Sequence, residues 1–170
     1  AIEHDIADAF PACPTYRAWT SKMIIAKLKK RDGLTIHTVK EALEQMLLDG
    51  ITDVIVQPTH VINGIENDQM KADALSFRDR FSSIVFGNPL LTTEEDNQAI
   101  VRVVADEFRD MDPDTALVLM GHGTEHYANT VYAALDYRFK DTGHKNIFLG
   151  TVEAYPALDS LLRAADSFHP

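Results

Sequence analysis

Hydrophobic residues along this chain alternate between short, nearly continuous apolar runs and longer stretches in which they recur at helical spacing. Most of the short runs are rich in Val, Ile and Leu and predict β-strands. The predicted strands cover residues 15–20, 54–56, 83–86, 116–120 and 146–150. The stretches with helical spacing predict helices. The first such stretch holds Ile2, Ile6, Ala9 and Phe10, and later ones cover residues 22–31, 39–48, 68–80 and 126–140.

Sequence signals for helix starts refine the bounds of the predicted helices. Thr38 with Glu41 has the spacing of a capping box, in which two side chains satisfy backbone N–H groups at a helix start. Thr92 with Glu95 repeats this spacing and predicts a helix that runs to about position 110. Pro156 is expected in the first turn of the last helix, where its missing N–H costs little.

The alternation of strands and helices predicts the fold class. Strands separated by helices of these lengths form parallel sheets, because the chain must return to the same edge before it starts the next strand. We therefore predict an α/β fold whose mostly parallel sheets carry helices on both faces. Ligands of such folds bind beyond the carboxyl ends of the strands, so polar residues at those ends are the first candidates for function.

Two predicted strands end alike. One leads to His60 and the other to His122, and each histidine is followed by a glycine and a glutamate. This similarity predicts two similar lobes, with residues 1–88 in the first and residues 89–170 in the second.

Composition and charge exclude several classes of partner. Sixteen Lys and Arg residues against 26 Asp and Glu residues give a formal net charge of −10. Such a chain is repelled by a nucleic-acid backbone and by an anionic membrane surface, so we expect neither as a partner. No apolar run approaches the roughly 20 residues of a membrane helix. The single cysteine cannot form an internal disulfide.

The densest group of chemically active residues follows the most apolar predicted strand, as Gly121-His122-Gly123-Thr124-Glu125-His126. Neutral imidazole is a common metal ligand, and flanking glycines let a histidine come close to an ion. The stretch also satisfies H-x-x-E-H, a zinc-peptidase pattern that needs both histidines on one helical face. Two glycines and a preceding strand favour a loop instead. The alternative is a plain glycine-rich turn, with His126 merely near a helix start.

Glu153 follows the next predicted strand. If the two strands are neighbours, Glu153 and His122 converge on one edge of the sheet and provide a carboxylate and an imidazole that can hold a divalent ion and accept protons. The alternative is a glutamate at a helix entry that interacts only with backbone N–H groups.

Other motifs carry less information. His60 also follows a strand, but spacing fixes no second ligand beside it, which favours an ordinary loop histidine. The chain lacks G-x-x-x-x-G-K-[ST], G-x-G-x-x-G after a strand, and G-x-S-x-G. We therefore expect no nucleotide cofactor.

Several longer stretches together resemble the anaerobic cobalt chelatase family of the class II tetrapyrrole chelatases. They are Arg17-Ala18-Trp19-Thr20-Ser21-Lys22-Met23-Ile24-Ile25, Leu28-Lys29-Lys30-Arg31-Asp32-Gly33, His60-Val61-Ile62-Asn63-Gly64, Gly121-His122-Gly123 and Gly150-Thr151-Val152-Glu153-Ala154-Tyr155-Pro156. The resemblance covers nearly all of the chain.

This resemblance implies two similar α/β lobes with a tetrapyrrole between them. It also implies insertion of cobalt(II) into sirohydrochlorin without ATP, a step of anaerobic cobalamin biosynthesis. Cobalt(II) is then the substrate metal, and His122 and Glu153 correspond to the family's metal and catalytic residues. Ser21, His60 and His126 are our candidates for contacts to the tetrapyrrole.

The family's second metal histidine follows a further strand, and its opening strand precedes the position of Ala1. We therefore expect a chain truncated at both ends. His169 is not a replacement for the missing ligand. The alternative to a metal-inserting enzyme is a protein that binds or delivers metal or tetrapyrrole without turnover.

The sequence leaves several properties open. They are the identity of the inserted metal (cobalt, iron or nickel), the identity of the tetrapyrrole (sirohydrochlorin or precorrin-2) and the oligomeric state (homo-oligomer or monomer). A cytoplasmic location is expected, and a periplasmic one stays open because a signal peptide would precede Ala1.

Overall fold

The computed structural model describes residues 2–168, so His169 lies outside the described residues. It contains α-helices and short β-strands in alternation. The helices are α1 (Ile2–Ala9), α2 (Lys22–Asp32), α3 (Val39–Leu48), α4 (Ile65–Leu75), α5 (Glu94–Glu107), α6 (Thr130–Asp141) and α7 (Leu158–Asp166). The strands are β1 (Ala18–Trp19), β2 (His37–Thr38), β3 (Asp53–Val56), β4 (Ser83–Phe86), β5 (Leu117–Gly121) and β6 (Ile147–Thr151).

All strands of the described residues pair in parallel, in three sheets of two strands each. The pairs are β1 with β2, β3 with β4, and β5 with β6. Each pair encloses at least one helix in sequence, which is the connection that parallel strands require. The predicted α/β class with parallel sheets is therefore confirmed.

The chain folds into two compact units, and neither is continuous in sequence. The first contains the chain up to Val56 together with Asp68–Gly87, and the second contains Gln57–Asn67 together with the chain from Asn88 onward. The segment after β3 thus belongs to the same unit as β5 and β6.

Each unit has its own apolar core. The core of the first unit is built from buried residues of α3, β3, α4 and the segment after α4, namely Val39, Leu43, Val54, Met70, Ala74, Phe77 and Phe81. The core of the second unit lies around β6, and its buried members are Leu91, Val101, Tyr132, Leu135, Phe139, Ile147 and Leu149. Because β6 is buried along its whole length, the end of this strand is a rigid base for the residues that follow.

One of the two capping boxes predicted from the sequence is present in the structure, and the other is not. Thr38 and Glu41 form the predicted capping box at the start of α3. The box predicted from Thr92 is wrong, because α5 is capped by Thr93 with Asp96. The hydroxyl of Thr92 is engaged elsewhere, since it donates to the Pro89 carbonyl at 3.0 Å and accepts from the Asn63 side chain at 2.9 Å.

Three predicted boundaries are also corrected. The helix predicted at 68–80 begins at Ile65 and ends at Leu75, where the Ser76 hydroxyl donates to the Asp73 carbonyl. Pro156 precedes α7 rather than lying in its first turn. The helix predicted from 126 begins as a 3₁₀ turn at Tyr127–Asn129, and α6 follows it.

The corrected cap gives a prediction about stability. Thr93→Ala leaves the backbone N–H of Asp96 without its hydroxyl partner and should lower the free energy of unfolding by about 1 kcal/mol. Glu95→Ala, two positions along the same helix, is the control and should change it by no more than about 0.5 kcal/mol. Urea titration of both variants measures the difference. A larger loss for Glu95→Ala than for Thr93→Ala would restore the box predicted from the sequence.

Candidate active site

The site begins at the paired ends of β5 and β6, where Gly121 lies opposite Thr151. The backbone pairing continues one residue beyond β5 and two residues beyond β6. The N–H of Val152 donates to the Gly121 carbonyl and the N–H of Glu153 donates to the His122 carbonyl, both at 3.0 Å. His122 and Glu153 are therefore adjacent on the same edge of the sheet, as the sequence predicts for residues that follow neighbouring parallel strands.

Two glycines let this edge close tightly. Gly123 has a φ of +84°, and a Cβ at this position would lie 2.9 Å from the backbone nitrogen of Ala154. A Cβ at Gly121 would lie 2.4 Å from the ring of Tyr132, which is buried in the core below. Because any larger residue collides with backbone or with a core ring, both positions require glycine.

One nitrogen of the His122 imidazole has a hydrogen-bond partner, and the other is accessible to a ligand. Its Nδ1 lies 3.0 Å from the carbonyl oxygen of Gly123. A carbonyl only accepts hydrogen bonds, so Nδ1 is the donor, and the neutral ring then has its lone pair on Nε2. The side chain is 79% exposed, which leaves Nε2 accessible to a metal ion.

Glu153 approaches the same ring nitrogen of His122. Its Oε2 lies 3.8 Å from Nδ1 of His122, and its side chain is 65% exposed. Two atoms bonded at about 2.1 Å to one first-row ion lie about 3.0 to 3.4 Å apart for ordinary bond angles. The pair can therefore hold one ion after a small movement, either through Nδ1 once it leaves Gly123 or through Nε2 after the ring turns.

The pKa of His122 is raised above its ordinary value. The largest cause is the hydrogen bond to the Gly123 carbonyl, and the negative charge of Glu153 adds to it. Slight desolvation opposes these effects, and the charge of Glu66 raises the pKa further. Because a metal ion competes with the proton, binding through His122 strengthens as the pH rises through this raised pKa.

Glu66 is a second carboxylate whose negative charge adds a minor part to the raised pKa of His122. Glu66 is the second residue of α4, and its Oε2 lies 3.8 Å from Nε2 of His60. Both residues lie in the segment that joins the second unit after β3. In that unit Ile62 packs against the core that contains Leu149 of β6. A second imidazole and carboxylate pair, His60 with Glu66, therefore lies in the same unit as His122 and Glu153.

A family model described as cobalt chelatase (CbiK) matches residues 1–168. The chain belongs to the cobalt chelatase (CbiK) family. Family membership agrees with the α/β fold and with the resemblance that the sequence motifs show.

Two curated relatives of this cobalt chelatase family member are similar over almost all of the chain. The sirohydrochlorin cobaltochelatase of Salmonella typhimurium is 34% identical over 162 residues, which cover 95% of this chain and 61% of the relative. The sirohydrochlorin cobaltochelatase CbiKC of Nitratidesulfovibrio vulgaris is 32% identical over 168 residues, which cover 95% of this chain and 57% of the relative. The chain thus spans about three fifths of the length of these relatives.

The remaining predicted residues of the chain have local structural contacts. Ser21 is the N-cap of α2, where its hydroxyl accepts from the Ile24 N–H at 3.4 Å. His126 caps the 3₁₀ turn, its Nδ1 accepting from the Ala128 N–H at 3.2 Å. The stretch from His122 to His126 contains no regular helix, so the loop expected in place of a zinc-peptidase helix is confirmed. Contacts of Ser21 and His126 to a tetrapyrrole stay predictions.

Other features of the chain lie apart from this edge. Within residues 2–168, no three His, Cys, Asp or Glu side chains are close enough together to hold an ion, so His122 and Glu153 form a pair and not a complete set.

An open cavity of about 660 Å³ lies near the amino end of β6, between α5 and α6, and its lining includes neither His122 nor Glu153. None of the described helices has the length and apolarity needed to cross a membrane.

Glu66 is the residue that sequence reasoning noticed but did not assign. Glu66 follows a strand, a histidine and a glycine, as Glu125 does. Spacing alone does not show which of the two glutamates contributes to the pKa of His122. The signal that selects Glu66 is tertiary, because its negative charge adds a minor part to the raised pKa of His122, after the Gly123 carbonyl and Glu153.

The electrostatics of the pair can be tested on the histidine itself. Glu153→Gln removes a negative charge near the ring and should lower the pKa of His122. Glu125→Gln is the control, since Glu125 lies in the same loop but is not among the groups that shift this pKa. Titration of the imidazole Cε1 signal by NMR measures both variants. An unchanged pKa in Glu153→Gln would show that the two side chains are apart in solution.

Proposed function

We propose that the whole protein containing this chain inserts cobalt(II) into sirohydrochlorin without ATP, as a step of anaerobic cobalamin biosynthesis. The observation that carries the proposal is the pairing of His122 with Glu153 at the ends of β5 and β6 in a chain of the cobalt chelatase (CbiK) family. The names of both relatives, each a sirohydrochlorin cobaltochelatase, support the same substrate pair.

The chemistry requires one group that carries the ion and one that accepts protons. Insertion of a divalent ion into a tetrapyrrole releases the protons of two pyrrole nitrogens. A neutral imidazole binds late first-row ions well, and a carboxylate adds an oxygen ligand and negative charge. We assign metal binding and proton acceptance jointly to His122 and Glu153, both of which are open to solvent.

Exposed apolar side chains near the pair suit a flat macrocycle. Met120 and Val152 flank the two strand ends and are 40% and 65% exposed. Tyr127 and Tyr155, in the loops that follow, are 79% and 71% exposed. The Asn129 side chain donates to the Tyr155 carbonyl and joins these loops. We propose that a tetrapyrrole covers these side chains, with Ser21, His60 and His126 as candidate polar contacts.

The proposal includes no nucleotide, a cytoplasmic location and no nucleic-acid or membrane partner. The absence of nucleotide-binding motifs from the sequence supports the expectation of no nucleotide. The net charge of −10 supports the expectation of no nucleic-acid or membrane partner. A homo-oligomer is compatible with it.

Binding or delivery without turnover is the second candidate function. The described residues supply a pair of candidate ligands and not a group of three, which is compatible with either function.

One assay separates the two functions. The whole protein, at a small fraction of the sirohydrochlorin concentration, is mixed with cobalt(II) under anaerobic conditions, and the absorption spectrum of the tetrapyrrole is followed. An enzyme converts many equivalents of sirohydrochlorin faster than the protein-free mixture. A spectral change that stops at one equivalent per protein would reject turnover and leave the binding function.

A further inference from the structure

The open cavity between α5 and α6 lies at the other end of β6 from the candidate active site. Its lining includes Asn146 and Ile147 at the start of this strand, whereas Glu153 follows the end of the strand. The length of β6 separates the two places by roughly 13 Å. The volume of about 660 Å³ is that of a pocket for a small organic molecule.

One face of α5 supplies a wall of this cavity. Gln98, Arg102, Ala105, Asp106 and Arg109 line it, and they recur at the spacing of three or four residues that places side chains on one side of a helix. Arg109 follows the last turn of α5, and its Nε donates to the carbonyl of Asp106 at 3.0 Å. This bond directs the guanidinium of Arg109 and leaves its terminal nitrogens available to a ligand.

The guanidinium groups of Arg102 and Arg109 carry positive charge that no described residue neutralises through an ion pair. Asp106 lies on the same lining, but its carboxylate forms an ion pair with neither arginine. Arg138, on the wall formed by α6, differs because it is paired with Glu94. In a chain with a formal net charge of −10, two unpaired cations in one cavity indicate an anionic ligand.

The wall opposite α5 is held by hydrogen bonds of its own. The N–H of His144 donates to the carbonyl of Phe139 at 2.8 Å, and the side chain of Asn146 donates to the carbonyl of Thr115 at 3.1 Å. Because these bonds involve no ligand, this wall is already formed before binding, which lowers the entropy that a ligand loses by ordering it.

Apolar side chains also line the cavity. Val101 and Ile147 belong to the buried core of the second unit, Met111 is half-buried and Phe108 is 40% exposed. An inorganic anion would leave these surfaces in contact with water, whereas a ligand with an apolar body would cover them. The lining therefore favours an organic anion.

The spacing of the two arginines indicates two anionic groups. Arg102 and Arg109 are seven residues apart, which is about two helical turns or roughly 10 Å along α5. A single carboxylate or phosphate is shorter than this distance, so one such group cannot contact both guanidinium groups in their present positions. A carboxylate at each end of the ligand can accept two parallel hydrogen bonds from each guanidinium.

We propose that this cavity binds a small organic dicarboxylate, with one carboxylate at Arg102, the other at Arg109, and the apolar body on Val101, Phe108 and Ile147. The inference goes beyond the proposed function and does not rest on it, because none of these residues belongs to the candidate cobalt(II) site.

The test uses three probes on the whole protein. Biphenyl-4,4′-dicarboxylate has a rigid apolar body with a carboxylate at each end, and biphenyl-4-carboxylate has the same body with one carboxylate. In calorimetric titrations the dicarboxylate should bind about tenfold more tightly than the monocarboxylate, with one molecule per chain. Phenyl phosphate represents a phosphate ligand and should bind no more tightly than the monocarboxylate.

Two variants test the role of the arginines. Arg102→Gln should weaken binding of the dicarboxylate about tenfold and change that of the monocarboxylate by no more than about twofold, because Arg109 remains. Arg163→Gln is the matched control, since Arg163 is an exposed arginine on α7 in the same unit, is absent from the cavity lining and donates to the Ser160 hydroxyl at 3.1 Å. It should bind both probes as the unmodified protein does.

Two further readouts locate the bound probe. In NMR titrations with the dicarboxylate, the amide signals of His144 and Asn146 should shift, and those of Val152 and Glu153 should not. In steady-state insertion assays without the probe, Arg102→Gln should keep the KM for sirohydrochlorin of the unmodified protein.

Several results would overturn the proposal. They are equal affinity for the two biphenyl probes, tighter binding of phenyl phosphate, equal losses in Arg102→Gln and Arg163→Gln, or shifts confined to Val152 and Glu153. Absence of binding would mean that another part of the protein or a second copy fills the cavity. A raised KM for sirohydrochlorin in Arg102→Gln would assign the cavity to that substrate instead.

The binding measurements do not depend on turnover. If the unmodified protein inserts no cobalt but the probes bind in the expected order, the proposed enzyme fails and the dicarboxylate site stands. If insertion is normal and the order is absent, only the dicarboxylate site fails.

Discussion

His122→Ala in the whole protein should abolish measurable cobalt(II) insertion while sirohydrochlorin still binds. The variant loses the imidazole that we assign to metal and proton handling, whereas the exposed apolar side chains of both loops are unchanged. Since the ring is 79% exposed, the stability change should stay within about 1 kcal/mol. Insertion kinetics, a tetrapyrrole titration and a thermal melt measure the three parts.

His4→Ala is the matched control for this variant. His4 is also exposed and also has a carboxylate beside it, since its Nδ1 lies 2.9 Å from Asp8 on α1. It should insert cobalt(II) at the unmodified rate. Near-normal insertion by His122→Ala would remove His122 from the mechanism, and lost insertion together with a large drop in melting temperature would assign it a structural role.

Gly123→Ala should strongly destabilise the site although it adds only a single methyl group. The φ of +84° strains any L-residue, and the new Cβ would lie 2.9 Å from the backbone nitrogen of Ala154, which cannot rotate away. Strain and overpacking together predict a loss of about 2 to 4 kcal/mol in the free energy of unfolding. Insertion should fall as well, because the loop that carries His122 must move away from Glu153.

Gly143→Ala separates these two causes. Gly143 has a φ of +96°, but nothing lies within 4 Å of its ideal Cβ. This variant should lose about 1 kcal/mol from backbone strain alone and keep its insertion activity. Equal losses of stability in the two variants, measured by urea titration, would contradict the close approach of the Gly123 loop to Ala154.

The fold class and the adjacency of His122 and Glu153 follow from sequence because they depend on local patterns. Strand periodicity places β5 and β6 to within one residue, and parallel pairing then brings the residues after them to one edge. The metal and catalytic roles of these two residues stay predictions until variants are measured.

Other features depend on tertiary contacts that periodicity does not encode. The cap of α5 lies at Thr93 because Asn63, 29 positions from Thr92, occupies the hydroxyl of Thr92. Glu66 lies in the same unit as His122 because the segment after β3 joins the second unit, a crossing that no local pattern marks. The 3.0 Å contact between Nδ1 of His122 and Gly123 depends on a single ring orientation.

The hydrogen bond from the N–H of Glu153 to the carbonyl of His122 extends the parallel ladder into the candidate site. The backbones of the two candidate ligands are therefore ordered when β5 and β6 pair during folding, and metal capture spends further conformational entropy only on their exposed side chains. Separating the backbones of the two ligands also requires breaking the hydrogen bond between the Glu153 N–H and the His122 carbonyl. Exchange of the Glu153 amide hydrogen with solvent and loss of the paired ligand geometry are then the same opening event, with one rate.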